Sequence, residues 1–288
     1  MTSVEASFVD VALDLARASG RTILAQVPLG LWRGEGIEHK DSRELVSRVD
    51  RASERFIVEG LRQAFPAHAI LGEEGGYAAG PGAEAEWRWL VDPLDGTTNF
   101  LHGHPFFSVS IALEHRGEAH PAARSPGGPA LAAAPNIVAA VVYAPYFDEC
   151  YFAAQGQGAF LNSRSIRLEV SPTAALDEAL VSTGFAYDRE RFPNYDNFVR
   201  IAHRSLGIHR CGSAALDLAY VAAGRYDLFW ELGLRPHDVA AGALLVLEAG
   251  GRVSDFAGGP DWLEGHSVIA SNGALHAAVQ ELLDPYRS

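Results

Sequence analysis

The sequence has little sulfur and no long apolar run. Its 288 residues include one methionine and two cysteines, Cys150 and Cys211. Two cysteines make no disulfide framework, and their separation matches no zinc motif. We therefore expect a reducing, cytoplasmic compartment, with both thiols buried as small apolar groups. No apolar stretch reaches the roughly 20 residues that cross a bilayer, and the acidic N-terminal stretch lacks the pattern of an export signal, so no membrane partner is expected.

Positive charge is also scarce. The chain has 23 Lys and Arg residues against 36 Asp and Glu residues, which gives a formal net charge of −13. This balance argues against binding to a nucleic-acid backbone, which needs a basic face. It suits a carboxylate-rich site that uses cations to meet a negative substrate, although an acidic surface also promotes solubility alone.

The apolar pattern predicts a mixed α/β fold. Helical spacing covers residues 3–27 and 47–65, and a Gly-rich segment at 29–36 predicts a turn or the start of a hairpin. Short apolar runs predict strands at 69–71, 87–91, 107–113 and 137–143. After residue 151, strands at 179–182, 207–209 and 226–230 alternate with helices near 195–204, 213–223, 237–249 and 273–283.

This alternation divides the chain into two expected halves. Residues 1–150 have an α+β pattern, whereas residues 151–288 have an α/β pattern typical of a largely parallel sheet. The segment 118–136 is dominated by Ala, Pro and Gly and has no periodicity. We expect it to be a mobile surface insertion.

The segment 92–98, Asp-Pro-Leu-Asp-Gly-Thr-Thr, carries the strongest chemical signal. Asp92 and Asp95 supply anionic oxygens for a hard cation, and a carbonyl between them can supply another. Pro93 fixes the backbone between the two carboxylates. The amides of residues 96–98 stand where a helix start donates to phosphate oxygens. Asp-Pro and Asp-Gly pairs also occur in plain turns, but the whole string after an apolar strand favours a metal and phosphate site.

Two further acidic segments are weaker signals. Glu73 and Glu74 follow a short strand between glycines, which suits either an exposed loop or a metal shared with Asp92. Asp238 follows Pro236 at the start of an Ala-rich helix, where an acid also satisfies the helix dipole. A catalytic pair of His237 with Asp238 is not expected, because adjacent residues on a helix do not face each other.

Together, Gly72-Glu73-Glu74, the 92–98 segment and Asp238-Val239-Ala240-Ala241-Gly242 resemble the inositol monophosphatase family over nearly the whole chain. The resemblance implies a layered α-β-α-β-α sugar-phosphatase sandwich that forms a homodimer. It also implies magnesium-dependent, lithium-sensitive hydrolysis of inositol 1-phosphate or a related polyol or sugar phosphate. The substrate partner is thus a small phosphate monoester.

The resemblance also implies the site residues. Glu73, Asp92 and the Leu94 carbonyl would hold one magnesium; Asp92, Asp95 and Asp238 would hold a second, and a third, weaker one would bind near Glu73. With Glu73, the catalytic residues Asp50 and Thr97 would orient or deprotonate the attacking water. Substrate contacts are expected from Asp95, Gly96, Thr97, Thr98, Gly212, Ser213, Ala214 and Glu231.

The sequence departs from the family pattern in places. His237 stands where the family usually has Trp, and Ser47 stands where it usually has Thr. Three phosphatases of the same superfamily remain open as alternatives: fructose-1,6-bisphosphatase, histidinol-phosphate phosphatase and adenosine 3′,5′-bisphosphate phosphatase. A non-enzymatic regulator that binds a protein or RNA partner is the alternative of a different class.

Overall fold

The structure, a computed structural model, describes residues 3–27, 37–39, 45–78, 85–117 and 135–283. The expected turn at 29–36 and residues 118–134 of the expected insertion lie outside these ranges. The helices are α1 Ser3–Leu24, α2 Arg48–Ala64, α3 Thr97–Leu101, α4 Tyr195–Ala202, α5 Ala214–Ala222, α6 Pro236–Glu248 and α7 His276–Gln280. The strands are β1 Ile37–His39, β2 Leu45–Ser47, β3 Ala69–Gly72, β4 Gly76–Ala78, β5 Trp87–Asp95, β6 Ser108–His115, β7 Ile137–Ala144, β8 Glu149–Ala154, β9 Gly158–Leu161, β10 Ser163–Arg167, β11 Leu180–Thr183, β12 Gly207–His209, β13 Leu228–Leu232, β14 Arg252–Ser254 and β15 Ser267–Ser271.

The larger sheet has eight strands in the order β10-β9-β8-β7-β6-β5-β3-β4. Its neighbours pair antiparallel except for β3 and β5, which are parallel. Along β5, Trp89 and Val91 pack on one face while Leu90 packs on the other, as the two-residue period of a strand requires. Both faces of the sheet are therefore covered.

The smaller sheet has five strands in the order β12-β11-β13-β15-β14. The expectation of a largely parallel sheet is only partly met, because β11, β12 and β13 are parallel whereas β15 runs antiparallel to both its neighbours. Strands β14 and β15 were not predicted from the sequence. Chain reversal through the 255–266 segment lets β15 return beside β13 without a crossover helix.

The elements stack in five layers, as the resemblance implied. Helices α1 and α2 cover one face of the larger sheet, and α5 and α6 fill the space between the two sheets. On the far side, Ile201 of α4 and Val279 of α7 pack against Leu228 and Trp230 of β13. The α-β-α-β-α prediction is confirmed, and α6 is buried on nearly all sides because it contacts both sheets.

Two details of the strands bear on the site. Strand β5 continues past the predicted end at Val91 as far as Asp95, with an irregular register between Asp92 and Asp95. The expected division after residue 150 falls inside β8, which extends the larger sheet.

Among the helices of the described ranges, none is long and apolar enough to cross a membrane.

Candidate active site

Glu73 and Asp92 meet because their strands are parallel neighbours. Gly72, the last residue of β3, is paired with Val91 of β5. The Glu73 amide then donates a hydrogen bond to the Val91 carbonyl at 3.2 Å. The two carboxylates therefore leave the same edge of the sheet side by side. Asp92 is 2% exposed, and its Oδ1 accepts a hydrogen bond of 3.0 Å from the Leu94 amide.

Asp95 is fixed by the start of α5. Ser213 Oγ donates to Asp95 Oδ2 at 2.5 Å, and the Ala215 amide donates to the same oxygen at 2.9 Å. The Ala214 amide is 3.3 Å from Oδ1. Ser213 and Ala214 thus lie at the site, and both donate hydrogen bonds to the Asp95 carboxylate. This tie links the end of β5 to the layer between the sheets.

Asp238 lies at the start of α6, and its Oδ2 accepts a 2.7 Å hydrogen bond from the Arg235 amide. The helix-capping role considered for this acid is therefore present, and the other oxygen lies on the side of His237. Contrary to the expectation for adjacent helical residues, His237 Nε2 is 3.4 Å from Asp238 Oδ1. This contact is possible because both residues occupy the first turn, where Asp238 folds back towards the backbone of Arg235.

Asp50 and Thr97, both predicted as catalytic residues, are in contact. Asp50 lies in the first turn of α2 and is fully buried. Thr97 Oγ1 is 2.7 Å from Asp50 Oδ1 and 3.0 Å from the Leu94 carbonyl oxygen. Since a hydroxyl has a single hydrogen, it donates to one of these oxygens at a time. The pair therefore joins helix α2 to the 92–98 segment.

Gly96 and Gly212 meet at a close approach of two loops. Gly96 has φ +91°, and a Cβ there would lie 3.0 Å from the Phe106 carbonyl oxygen and 3.2 Å from that of Gly212. A side chain would be strained by both the backbone conformation and the contacts. Asn99 ties the same loops, because its Nδ2 is 2.6 Å from the Phe106 oxygen and 2.7 Å from the Cys211 oxygen.

Glu231 of β13 is 8% exposed and faces the site from the smaller sheet. Gly184 packs so tightly against it that a Cβ there would lie about 2.1 Å from the carboxylate. Burial raises the pKa of Glu231 to about 8; Arg210 opposes the rise and Asp238 adds to it. Behind it, burial raises the pKa of Asp217 well above its usual range, as does the charge of Glu231.

One cavity of about 750 Å³ collects these groups. It is lined by every site residue expected from the sequence other than Asp50: Glu73, Asp92, Leu94, Asp95, Gly96, Thr97, Thr98, Gly212, Ser213, Ala214, Glu231 and Asp238. Asp50 reaches the cavity through Thr97. Arginines 189, 191, 210 and 235 also line the cavity, so positive charge is available for an anionic ligand.

The carboxylates of this cavity disfavour one another's charge. Burial raises the pKa of Asp92 well above its usual range, and the charges of Glu73, Asp95 and Asp238 raise it further. Burial likewise raises the pKa of Asp95, against the Ser213 hydrogen bond that lowers it. A cation among these groups would relieve both the repulsion and the cost of burial.

The donor set fits magnesium. Glu73, Asp92, Asp95, Asp238 and the Leu94 carbonyl offer only oxygen, which hard divalent cations prefer. Within the part of the chain that the structure describes, no three His, Cys, Asp or Glu side chains converge tightly enough to hold an ion in their present positions. Oxygens of Asp92, Asp95 and Asp238 instead accept hydrogen bonds from the protein. The ligand assignment therefore stays a prediction.

Three residues that tie the site together were not predicted from the sequence: Ser53, Glu54 and Asn99. Ser53 Oγ donates to the Pro93 carbonyl at 2.9 Å, and Glu54 accepts hydrogen bonds from the 74 and 75 amides. For Ser53 and Glu54 the signal in the sequence was the helical spacing from Asp50, since residues three and four positions on share its face. Only the tertiary structure shows what that face meets.

The fold and the site thus define a layered α/β sandwich with an acid-lined cavity. The chain belongs to the inositol monophosphatase family, whose sequence model matches residues 5–123 and 130–287.

Relatives of two names are similar to this chain. The Nus factor SuhB of Pseudomonas aeruginosa is 43% identical over 283 residues, which are 96% of each chain. The inositol-1-monophosphatase of Rhizobium meliloti is 44% identical over 248 residues, or 85% of this chain and 84% of the relative. Among solved structures, the extragenic suppressor protein suhB from Bartonella henselae has a TM-score of 0.81 at 37% identity, covering 95% of this chain and 96% of that one.

Proposed function

We propose that the chain is a magnesium-dependent phosphomonoesterase that hydrolyses inositol 1-phosphate, or a related polyol or sugar phosphate, to the alcohol and inorganic phosphate. The observation that carries the proposal is the meeting of Glu73, Asp92, Asp95 and Asp238 in one cavity. The Rhizobium meliloti relative bears the name of this activity. We propose these four side chains and the Leu94 carbonyl as ligands of two to three magnesium ions.

When bound, magnesium would neutralise the phosphate, lower the pKa of a water molecule and stabilise the leaving alcohol. The protein's own part is placement and charge. Thr97, held between Asp50 and the Leu94 carbonyl, is positioned to orient the attacking water, with Asp50 able to take up the Thr97 proton. Glu73 borders the same space and completes the proposed catalytic set.

The substrate would be held from two directions. The amides of Gly96 and Thr97, with Thr98 beside them, would donate to the phosphate oxygens. Glu231 and the 212–214 loop line the cavity and would meet the alcohol side, where the Glu231 carboxyl group can exchange hydrogen bonds with hydroxyl groups. A polyol suits this wall better than an apolar alcohol, because a buried carboxyl group left without a hydrogen-bond partner costs free energy.

The proposal is tested by phosphate release from four substrates: inositol 1-phosphate, fructose 1,6-bisphosphate, histidinol phosphate and adenosine 3′,5′-bisphosphate. We expect release that requires Mg²⁺, stops with EDTA, is inhibited by lithium and is fastest, or nearly so, with inositol 1-phosphate. If all four stay intact with Mg²⁺ present, the enzymatic proposal fails. Faster release from another substrate would move the assignment to that member of the superfamily.

A homodimer is part of the proposal. Light scattering on the purified chain at micromolar concentration should give twice the monomer mass of 30.9 kDa. A monomer mass at all concentrations tested would contradict this expectation.

A second candidate function is a regulatory role through a protein partner. The observation that favours it is the name Nus factor carried by the Pseudomonas aeruginosa relative. The net charge of −13 counts against a direct role in RNA binding. The two roles are separated by testing whether a hydrolysis-deficient variant reverses the defects of a strain that lacks this protein; reversal would favour the regulatory role.

A further inference from the structure

We propose that Glu54 is a positioning residue that holds the Glu73 loop in the form in which Glu73 reaches the metal. The inference rests on the proposed function, because it takes Glu73 as a magnesium ligand. Glu54 lies on α2, is 7% exposed and does not line the cavity. It therefore acts on the site through the loop and does not touch the substrate.

Glu54 grips the loop directly after Glu73. Its Oε2 accepts a hydrogen bond of 2.7 Å from the Glu74 amide, and its Oε1 accepts one of 2.7 Å from the Gly75 amide. Hydrogen bonds to an ionised carboxylate are short and about twice as strong as neutral ones. Two successive amides aimed at one carboxylate fix the direction in which the chain leaves Glu73.

The loop passes close to this carboxylate at two glycines. A Cβ at Gly72 would lie 2.5 Å from Glu54 Oε2, and a Cβ at Gly75 would lie 2.8 Å from Oε1. Neither glycine is in the left-handed region, so their lack of a side chain serves this close approach. On the sheet side, the Glu73 amide bonds to the Val91 carbonyl. Glu73 is therefore held between β5 and Glu54.

One face of α2 carries the side chains that bond to two segments of the site. Asp50, Ser53 and Glu54 follow the three- and four-residue spacing that puts side chains on one helix face. Asp50 contacts Thr97, and Ser53 donates to the Pro93 carbonyl. Two of the three segments that carry the proposed ligands are thus bonded to α2, the 72–75 loop by Glu54 and the 92–98 segment by the other two residues.

The test compares Glu54→Gln with Glu59→Gln, because Glu59 is an exposed glutamate on the same helix. Calorimetric titration with Mg²⁺ alone gives the dissociation constant without substrate, and hydrogen exchange reports the 74 and 75 amides. Substitution of a residue that positions a metal ligand typically weakens metal affinity by about 10–100-fold. We expect Glu54→Gln to weaken Mg²⁺ binding about tenfold or more and to speed exchange at both amides, with Glu59→Gln unchanged. Activity should recover largely at saturating Mg²⁺.

A second variant covers the case in which Glu54→Gln does not fold. Gly75→Ala keeps the buried carboxylate but places a Cβ 2.8 Å from Oε1, so the carboxylate and the loop have to move apart. It should weaken Mg²⁺ binding as well. Wild-type affinity in whichever of these variants folds would overturn the inference. Wild-type protein that binds Mg²⁺ but releases no phosphate would overturn the proposed function alone.

Discussion

At the scale of the residue, the site depends on carboxylates placed where charge is costly. Asp92, Asp95 and Glu231 are all buried, and burial is the main reason that their pKa values rise. Burying such charged groups costs free energy in the folded chain, and carboxylates with raised pKa values cluster at functional sites. Replacing one of these carboxylates by the amide of the same size should therefore leave the fold stable but remove the function that depends on the negative charge.

Asp95→Asn is the most direct test of this reasoning. The change keeps the size of the side chain and one acceptor for the α5 donors but removes the charge that would bind the cation. We expect turnover to fall by several orders of magnitude, with a melting temperature within a few degrees of wild type. Steady-state kinetics and thermal denaturation measure both, and Asp14→Asn on the exposed side of α1 is the control. Near-normal activity of Asp95→Asn would contradict the assignment of Asp95 as a magnesium ligand.

Thr97 tests the hydroxyl between Asp50 and the Leu94 carbonyl. Thr97→Val keeps the shape but removes the donor, and it leaves the buried Asp50 carboxylate without that hydrogen bond. Loss of a group that positions or transfers a proton typically costs about 10²–10⁴-fold in rate. We expect a fall of that order in kcat with little change in KM, whereas Thr97→Ser should keep most of the activity. Equal activity of the valine and serine variants would contradict the assigned role.

At the scale of the element, a buried histidine joins three pieces of the C-terminal part. His276 of α7 is fully buried, with Nε2 2.9 Å from Ser254 Oγ of β14 and Nδ1 2.9 Å from Ser271 Oγ of β15. Burial lowers the pKa of His276 to about 4, with Arg252 contributing. The neutral ring is thus the form that holds these elements together.

This histidine predicts a loss of stability in acid. The unfolded chain takes up the proton near pH 6.5, whereas the folded chain resists it down to about pH 4. Stability is therefore full above pH 6.5 and declines as the pH falls through this window. Each pKa unit is worth about 1.4 kcal/mol, so between pH 7 and 4.5 wild type should lose about 2–3 kcal/mol more than His276→Gln. Urea denaturation across this range provides the measurement, and parallel curves for the two proteins would refute the prediction.

At the scale of the whole molecule, the proposed ligands come from separate parts of the fold. Glu73 and Asp92 leave the larger sheet, while Asp238 begins α6, which packs between the two sheets. Without a cation these carboxylates repel one another across the cavity. A bound cation would therefore stabilise the sandwich as well as the site.

Magnesium should accordingly raise the free energy of unfolding. A ligand that binds only the folded state contributes about 2.7 kcal/mol at one hundred times its dissociation constant. We expect the melting temperature to rise with Mg²⁺ concentration and to fall back on adding EDTA. Sodium chloride at matched ionic strength is the control for screening, and Asp238→Asn should respond less. A melting temperature that does not depend on Mg²⁺ would count against the proposed site.

The sequence by itself determined most helices and the segments that supply the site, because these depend on local pattern: apolar periodicity for the helices, and a strand running into paired acids at 92–98. The five-layer class followed from the resemblance of three motifs to the inositol monophosphatase family. Strands β8–β10, β14 and β15 were missed because each is only three to six residues long, and runs this short carry an ambiguous period.

Only the tertiary structure decided how the site is held. Three contacts show this. Glu54 accepts hydrogen bonds from the 74 and 75 amides, His237 contacts Asp238, and Asp95 accepts a hydrogen bond from the start of α5. None of these contacts follows from residue type, because each depends on which backbone groups the packing leaves next to a side chain. Sequence pattern encodes which face of an element is apolar, while the neighbour of a buried polar group is set by how the layers stack.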